Sequence, residues 1–376
     1  MSLRDFSLGT RVVFGPNATD RLGTFAAEFG GRVFVVTDPH IVAAGHVDRA
    51  ERSLASAGLE VRRYEGVREN PTSADVAACR AALGDWNPDL LVGLGGGSSI
   101  DVAKGCNLVR AGGGTMEDYW GVGKAKGTLL PLIAVPTTAG TGTEAQSFAL
   151  VAQEDTHQKM ACGDPQMLPR LAVLDPILTT TLPPFVTACT GLDTIGHAVE
   201  TMVTKKRNAF SRPFSVEAFR LAHASLPLVL DDPDNLDARG DMMLAATFAG
   251  VAIENSMLGA AHSLANPLTA HHDLAHGLAV GLVLPGVVRF NSEHAEIAEL
   301  YEGLARGARL NSVSALVQRL EELLDLCRIE HSLTAHGVPT TGVTGLAEEA
   351  LRQWTAQFNP REVTVQDLER LLIAAL

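Results

Sequence analysis

The strongest constraint on the fold is a change of rhythm at Pro183-Pro184. Before it, segments that read as strands (32–38, a β-branched run ending in an acid, then 59–64, 89–94 and 130–135) alternate with helical stretches such as 72–83 and 98–110. Alternation of this kind predicts a parallel sheet covered by helices on both faces. After it, strand runs stop and helical periodicity takes over: 185–204, 213–230, 236–257, 276–290, 293–306, 312–327 and two further stretches near the C-terminus. The chain therefore reads as an α/β domain over 1–183 followed by an all-α domain over 184–376. Its length suits two to three domains, and 46% hydrophobic against 19% charged residues is enough to fill large cores.

Charge and punctuation exclude several classes of partner. A net charge of −13 opposes a phosphate-binding face, so no nucleic-acid partner is expected. Residues 1–6 lack the apolar core of a signal segment. The longest apolar stretch, 277–288, is broken by glycines and Pro285 and falls short of the ~20 residues that span a bilayer, so no membrane partner is expected. Five cysteines, none in a C-x-x-C pair, fit a reducing cytoplasm.

Three segments carry chemistry. Gly95-Gly96-Gly97-Ser98 follows a strand and opens a helix. Glycines there let an anion approach the backbone, and the helix start supplies unpaired N–H groups, so the segment reads as a diphosphate cradle; a plain strand-to-helix turn is the simpler alternative. Asp38 ends an early strand, where an acid accepts hydrogen bonds from a ribose 2′-OH and repels a 2′-phosphate, which favours NAD(H); a turn Asp before Pro39 fits the same position. Asp193 and His197 stand i, i+4, one turn apart on one helix face, and His262 and His276 follow in a segment rich in Ala, Leu and Gly. One carboxylate and three imidazoles suit Fe(II) or Zn(II) and leave a position for a substrate oxygen, although the i, i+4 pair alone also fits a solvent-side pairing.

Taken in order, Gly95-Gly96-Gly97-Ser98-Ser99-Ile100-Asp101-Val102-Ala103-Lys104, the loop 136–144 (P-T-T-A-G-T-G-T-E), the helix 191–197 (G-L-D-T-I-G-H) and the histidine segment 259–277 resemble the iron-containing (group III) alcohol dehydrogenase family. Lesser echoes are Arg11-Val12-Val13-Phe14-Gly15 and Asn70-Pro71-Thr72, and the resemblance spans nearly the whole chain. It implies the family's architecture, shared with dehydroquinate synthase: an α/β dinucleotide-binding domain with a parallel sheet, then an all-α metal-binding domain. It implies that Asp193, His197, His262 and His276 bind the metal, Fe(II) or else Zn(II), and act in catalysis through it. It also implies that Gly96, Gly97 and Ser98 hold the pyrophosphate of NAD(H), that Asp38 contacts the adenosine ribose, that Asn70, Thr137, Thr138 and Lys159 lie along the cofactor, and that Asp101 sets the loop geometry. The activity implied is NAD(H)-linked alcohol dehydrogenase or aldehyde reductase on a small alcohol or aldehyde, in at least a homodimer.

Two departures stand out. Most of the family has a histidine four residues after the third ligand; here it is Asn266, which is expected to face nicotinamide and substrate but cannot titrate near neutrality. A proton-relay role does not carry over to it; His271 or His272 could stand in, or ribose hydroxyls and water, though both histidines also fit structural or exposed positions. The second is Gln146, where the family often has Thr. Phe148 and Ile253 are the candidate pocket walls. Three other readings stay open. A maleylacetate-reductase-like enzyme needs Arg or Lys near the histidine segment, and only Lys205, Lys206 and Arg207 after the metal helix offer them. A dehydroquinate-synthase-like lyase needs several basic residues, which 259–277 lacks. A non-catalytic relative is disfavoured by the intact ligand set but fits Asn266.

Overall fold

A computed structural model describes residues 9–156 and 158–376. Residues 1–8, which hold the stretch expected to lack a signal core, lie outside the described residues. The chain divides into two compact units. The first runs to Thr138 and resumes over Gly142–Thr181; the second comprises Leu182–Leu376 together with Ala139–Thr141.

Among the described residues the first unit has nine strands: β1 (Arg11–Phe14), β2 (Arg32–Val36), β3 (Glu60–Tyr64), β4 (Leu90–Gly95), β5 (Gly121–Val122), β6 (Leu132–Pro136), β7 (Phe148–Ala152), β8 (Lys159–Gly163) and β9 (Leu171–Leu174). Six form one sheet in the order β1-β9-β6-β4-β2-β3, with every pairing parallel. Helices α1 (Leu22–Ala26), α2 (Pro39–Ala43), α3 (His46–Ser56), α4 (Ser73–Leu83) and α5 (Gly97–Gly112) connect them. The central strands β4 and β6 are buried throughout, as a parallel sheet covered on both faces requires. Because side chains alternate along a strand, each one feeds two separate cores. Val33, Val35, Leu90, Val92, Leu94, Ile133 and Val135 pack on one face. Phe34, Val36, Leu91, Leu132 and Ala134 pack on the other.

A second sheet, β5-β8-β7, is a feature the sequence rhythm does not announce. Its β7–β8 hairpin is antiparallel, with Phe148 opposite Gly163. Lys159-Met160-Ala161-Cys162-Gly163 contains no β-branched residue, so propensity gives no strand signal there. What holds this region is a buried charge. Lys104, on α5 and almost wholly buried, donates from Nζ to the carbonyls of Thr143, Gln146 and Phe148 and to Thr143 Oγ1, each at 2.8 Å. Asp101, one turn earlier, accepts from Thr143 Oγ1 at 2.6 Å and from Leu150 N at 3.1 Å. Burial raises the Asp101 carboxyl above its ordinary value against the pull of Lys104. The pair thus clamps residues 143–150 onto α5.

The second unit is helical among the described residues: α6 (Pro184–Val203), α7 (Ser211–Asp231), α8 (Leu236–Glu254), α9 (Ala260–His272), α10 (His276–Ser292), α11 (Ala295–Gly307), α12 (Val313–Leu326), α13 (Val343–Arg352) and α14 (Val365–Ala375), with short 3₁₀ turns. Pro184 opens α6 at its first position, where a missing N–H costs nothing. Beyond its first turn α6 is buried nearly all round, the signature of a central core helix, and α7, α8 and α10 pack against it. Among the described residues no helix is long and apolar enough to cross a membrane, and all five cysteines are free.

The buried clamp gives a direct test. Lys104→Met should destabilise the protein by about 3–5 kcal/mol, because it leaves the carbonyls of Thr143, Gln146 and Phe148 without their donor and removes the first charge that offsets the burial of Asp101. The change should appear as a lower urea midpoint at unchanged slope. A midpoint equal to that of the unaltered chain would refute the clamp.

Candidate functional site

Helix α6 presents Asp193, His197 and Glu200 at i, i+4 and i+7, one stripe of the helix, and all three are buried. The first turn of α9 brings His262, and the first residue of α10 is His276. All three imidazoles converge on one oxygen. Asp193 Oδ1 lies 3.5 Å from His197 Nε2, 3.5 Å from His262 Nε2 and 3.9 Å from His276 Nε2. The ligand atoms of Asp193, His262 and His276 all fall within 4.8 Å of one another. The His197 and His262 rings stack with centroids 4.7 Å apart.

These spacings fit a metal ion. Donors at ligand bonds of about 2.1 Å in a tetrahedron stand roughly 3.4 Å apart, close to the 3.5 Å that separates Asp193 Oδ1 from His197 Nε2 and from His262 Nε2, although His197 lies outside the group of three whose ligand atoms are all mutually close. Asp193 Oδ1 and His262 Nε2 are also buried without a hydrogen-bond partner. Buried polar atoms are normally satisfied, and a divalent cation between these two would satisfy both. The electrostatics agree. Burial acts to raise the Asp193 carboxyl, but His197, His262 and His276 together hold it well below the usual carboxylate range. Burial pushes the His197 imidazole down to about 4, against the pull of Asp193. Burial would lower His262 too, yet the pull of the Asp193 and Glu200 carboxylates outweighs it and holds the ring up at about 9.

Glu200 is the residue that sequence reasoning passed over. Its Oε2 accepts from His262 Nδ1 at 2.6 Å and from Gly259 N at 3.0 Å, and its Oε1 accepts from Ala261 N at 2.7 Å. The signal was present, since residue 200 continues the stripe of 193 and 197 by one further turn.

Two helices must approach closely for these side chains to meet. A Cβ on Gly277, next to His276, would stand 1.9 Å from the carbonyl oxygen of Cys189 and 3.0 Å from Asp193 Cβ. Only glycine lets the first turn of α10 lie this close to α6. On the other flank of α6, Thr194 Oγ1 donates to the carbonyls of Ala139 and Gly140 at 3.1 and 3.2 Å. The middle of the 136–144 loop therefore packs beside α6, within the second unit.

The remaining candidates are placed as follows. Asn266 lies one turn beyond His262, and its Nδ2 donates to Gln353 Oε1 at 3.1 Å. His271 is half exposed and engages Glu349 Oε2 at 2.6 Å. His272 ends α9, with burial and neighbouring His271 lowering its pKa. Ile253 is buried on α8. The Phe148 ring covers Gly163, where a Cβ would meet Phe148 Cε1 at 2.3 Å. Lys159 opens β8 and its charge helps to restrain the Asp101 carboxyl.

In the first unit, Gly95 adopts φ +149°, a conformation that favours glycine, and Gly96 caps α5 with no side-chain hydrogen bond, so the first-turn N–H groups around Gly97 and Ser98 have no side-chain cap. Thr137 N donates to Gly95 O at 2.9 Å, and Thr138 lies against Gly96. Asp38 Oδ1 accepts from His40 N and Ile41 N, capping α2, while Oδ2 accepts from Ser99 Oγ at 3.2 Å. Asn70, exposed in the turn after β3, takes a left-handed conformation at φ +50°. Asp101 serves the loop clamp described above.

With this geometry in hand, the chain matches the family model for iron-containing alcohol dehydrogenase over residues 9–176. It matches the model for the C-terminal part of the Fe-containing alcohol dehydrogenase family over 187–376. It is similar to the NAD-dependent methanol dehydrogenase of Bacillus methanolicus, 30% identical over 100% of each chain. It is similar to the 1,3-propanediol dehydrogenase of Klebsiella pneumoniae, 32% identical over 94% of each. Among solved structures, alcohol dehydrogenase from Oenococcus oeni superimposes with a TM-score of 0.94 at 29% identity, covering 100% of both chains.

Two measurements test the site. Gly277→Ala should overpack the α6–α10 contact by about 1–3 kcal/mol and shed metal on dialysis; unchanged melting with a full complement of metal by elemental analysis would refute the close-contact argument. The second concerns protons. Without metal, His262 titrates near 9 and is protonated at pH 7. Zn(II) binding should therefore release about one proton per ion at pH 7, and affinity should rise about tenfold per pH unit until it levels off above pH 9. Calorimetry in buffers of different ionisation enthalpy counts that proton, and a count of zero at pH 7 would contradict the buried imidazolium.

Proposed function

Because the chain belongs to the iron-containing alcohol dehydrogenase family, we propose that it is a metal-dependent, NAD(H)-linked alcohol dehydrogenase that also runs as an aldehyde reductase. The observation that carries the reading is the convergence of three imidazoles on Asp193 Oδ1, with two buried donor atoms otherwise unsatisfied. Asp193, His197, His262 and His276 would hold the ion, with Fe(II) our assignment and Zn(II) the alternative that the same donors accept. When bound, such an ion supplies a Lewis acid for an alcohol or carbonyl oxygen.

The other residues bind and orient. Gly96, Gly97 and Ser98 at the start of α5 would receive the pyrophosphate on backbone N–H groups. Asp38, fixed by the α2 cap and by Ser99, would accept from the adenosine ribose and disfavour a 2′-phosphate. Asn70, Thr137, Thr138 and Lys159 are assigned to the rest of the cofactor, and Phe148 and Ile253 to apolar pocket walls. When bound, the nicotinamide would supply the hydride acceptor in the oxidative direction, and the substrate's hydroxyl proton must then leave separately. Asn266 has no titratable group and donates to Gln353, and His271 is held by Glu349, which leaves His272 at the end of α9, or water, to take that proton. The substrates for which these relatives are named, methanol and 1,3-propanediol, favour a small primary alcohol as substrate.

The test is anaerobic NADH oxidation by Fe(II)-loaded protein with short aldehydes, hydroxyaldehydes and 2-oxo compounds. Turnover is expected with an aldehyde. Asp193→Ala and His262→Ala should lose metal and activity together, by roughly a thousandfold or more in kcat/KM, about 4 kcal/mol of transition-state stabilisation. NADH binding should survive in both. Full activity in metal-stripped His262→Ala protein would sink the assignment.

A further inference from the structure

We infer that Glu200 is a positioning residue for the metal centre: from α6 it fixes which nitrogen of His262 carries the proton and anchors the start of the helix that carries His262. The inference rests on the metal-dependent reading above and deepens it. A buried carboxylate is costly unless hydrogen bonds compensate it. Glu200 is 3% exposed, and its three short partners are all on one segment: the Gly259 and Ala261 amides and His262 Nδ1.

Each bond has a distinct effect. The first N–H groups of a helix have no partner within the helix, and the N-cap Gly259 has no side chain to offer them. Glu200 takes the amides of Gly259 and Ala261, and Asn359 Oδ1 takes that of Ala260 at 3.3 Å. A negative charge at this end also complements the helix dipole. A Cβ on Gly259 would come within 3.0 Å of both Glu200 Oε1 and Asn359 Oδ1, so the missing side chain makes room for the anchor.

The third bond decides the chemistry. A carboxylate only accepts, so at 2.6 Å it requires the proton to sit on Nδ1. Nε2 is then the nitrogen that gives up its proton to a cation, and it faces Asp193 Oδ1 at 3.5 Å, where the cation is to be bound. Without Glu200, Nδ1 would be buried with no acceptor, and a neutral ring could place its proton on Nε2, facing Asp193 and blocking the ion. Glu200 therefore acts on the ion only through His262.

The experiment is Co(II) and Zn(II) binding by metal-free full-length protein in competition with a chromophoric chelator, with the visible d–d bands of Co(II) recorded in parallel. Wild type, Glu200→Gln, Glu200→Ala and Asp193→Asn are compared. Gln keeps the shape and one acceptor but loses the charge, so affinity should fall about tenfold, and Ala about a hundredfold, within the usual range for an outer partner of a ligating histidine. The Co(II) bands should shift in both, with NADH binding and circular dichroism unchanged. Affinity and bands equal to wild type in both Glu200 variants, with affinity lost in Asp193→Asn, would overturn the role of Glu200 and leave the metal site standing. A lower melting temperature of the metal-free variants with unchanged Co(II) bands would overturn it too, reducing Glu200 to a helix anchor. If the Ala variant does not fold, the Gln variant decides by the same criteria. Failure of wild type to bind either ion would overturn the metal-dependent reading and this inference with it.

Discussion

A single carboxylate oxygen organises the second unit. Asp193 Oδ1 is buried among three imidazoles, and the helices that bring them are arranged so that they can meet there. Electrostatics makes the arrangement self-consistent. The carboxylate is held ionised by its histidines, while burial keeps His197 neutral and therefore available as a ligand. Packing makes it reachable. Helix α6 is buried on nearly every side, so each neighbour can deliver a side chain without passing through solvent.

Both units use the same physical device for different ends. In the first, buried Lys104 directs its hydrogen bonds mainly to backbone carbonyls of residues 143–148. In the second, buried Glu200 directs two of its three to backbone amides at 259 and 261. A buried ion bound to main chain fixes a loop or helix end more rigidly than an exposed ion pair can, because water does not compete and the partners are not flexible side chains. Each clamp borders a segment to which chemistry is assigned: the loop after β6 in one case, the helix carrying His262 in the other.

Much of the fold is legible in the chain because its signals are local. The strands over 32–36, 90–95 and 132–136 carry β-branched or apolar runs, and the helices of the second unit carry clear periodicity. The β7–β8 hairpin escapes notice because Lys159–Gly163 is strand by pairing rather than by propensity. At the site, Asp193, His262 and His276 draw attention by residue type and the structure brings them together, whereas Glu200 looks like an ordinary helical acid until its partners, about sixty residues away, are known. Asp101 looks like part of a cofactor loop, and only the fold discloses its bonds to Thr143 and Leu150. The partner of Asn266, Gln353, is likewise set by tertiary packing that no spacing reports.

The two glycines at the contact of α6 with α10 have different evolutionary freedom. What opposes a side chain at Gly196 is Val280 Cγ1, 2.4 Å from the notional Cβ, and a smaller residue at 280 could remove that obstacle. What opposes one at Gly277 is the backbone of Cys189, its carbonyl oxygen and carbon. No replacement of side chains removes a carbonyl. Position 196 can therefore drift together with a compensating partner, while position 277 has no single-residue suppressor at the point of contact, and a lineage that loses this glycine must move a helix to recover.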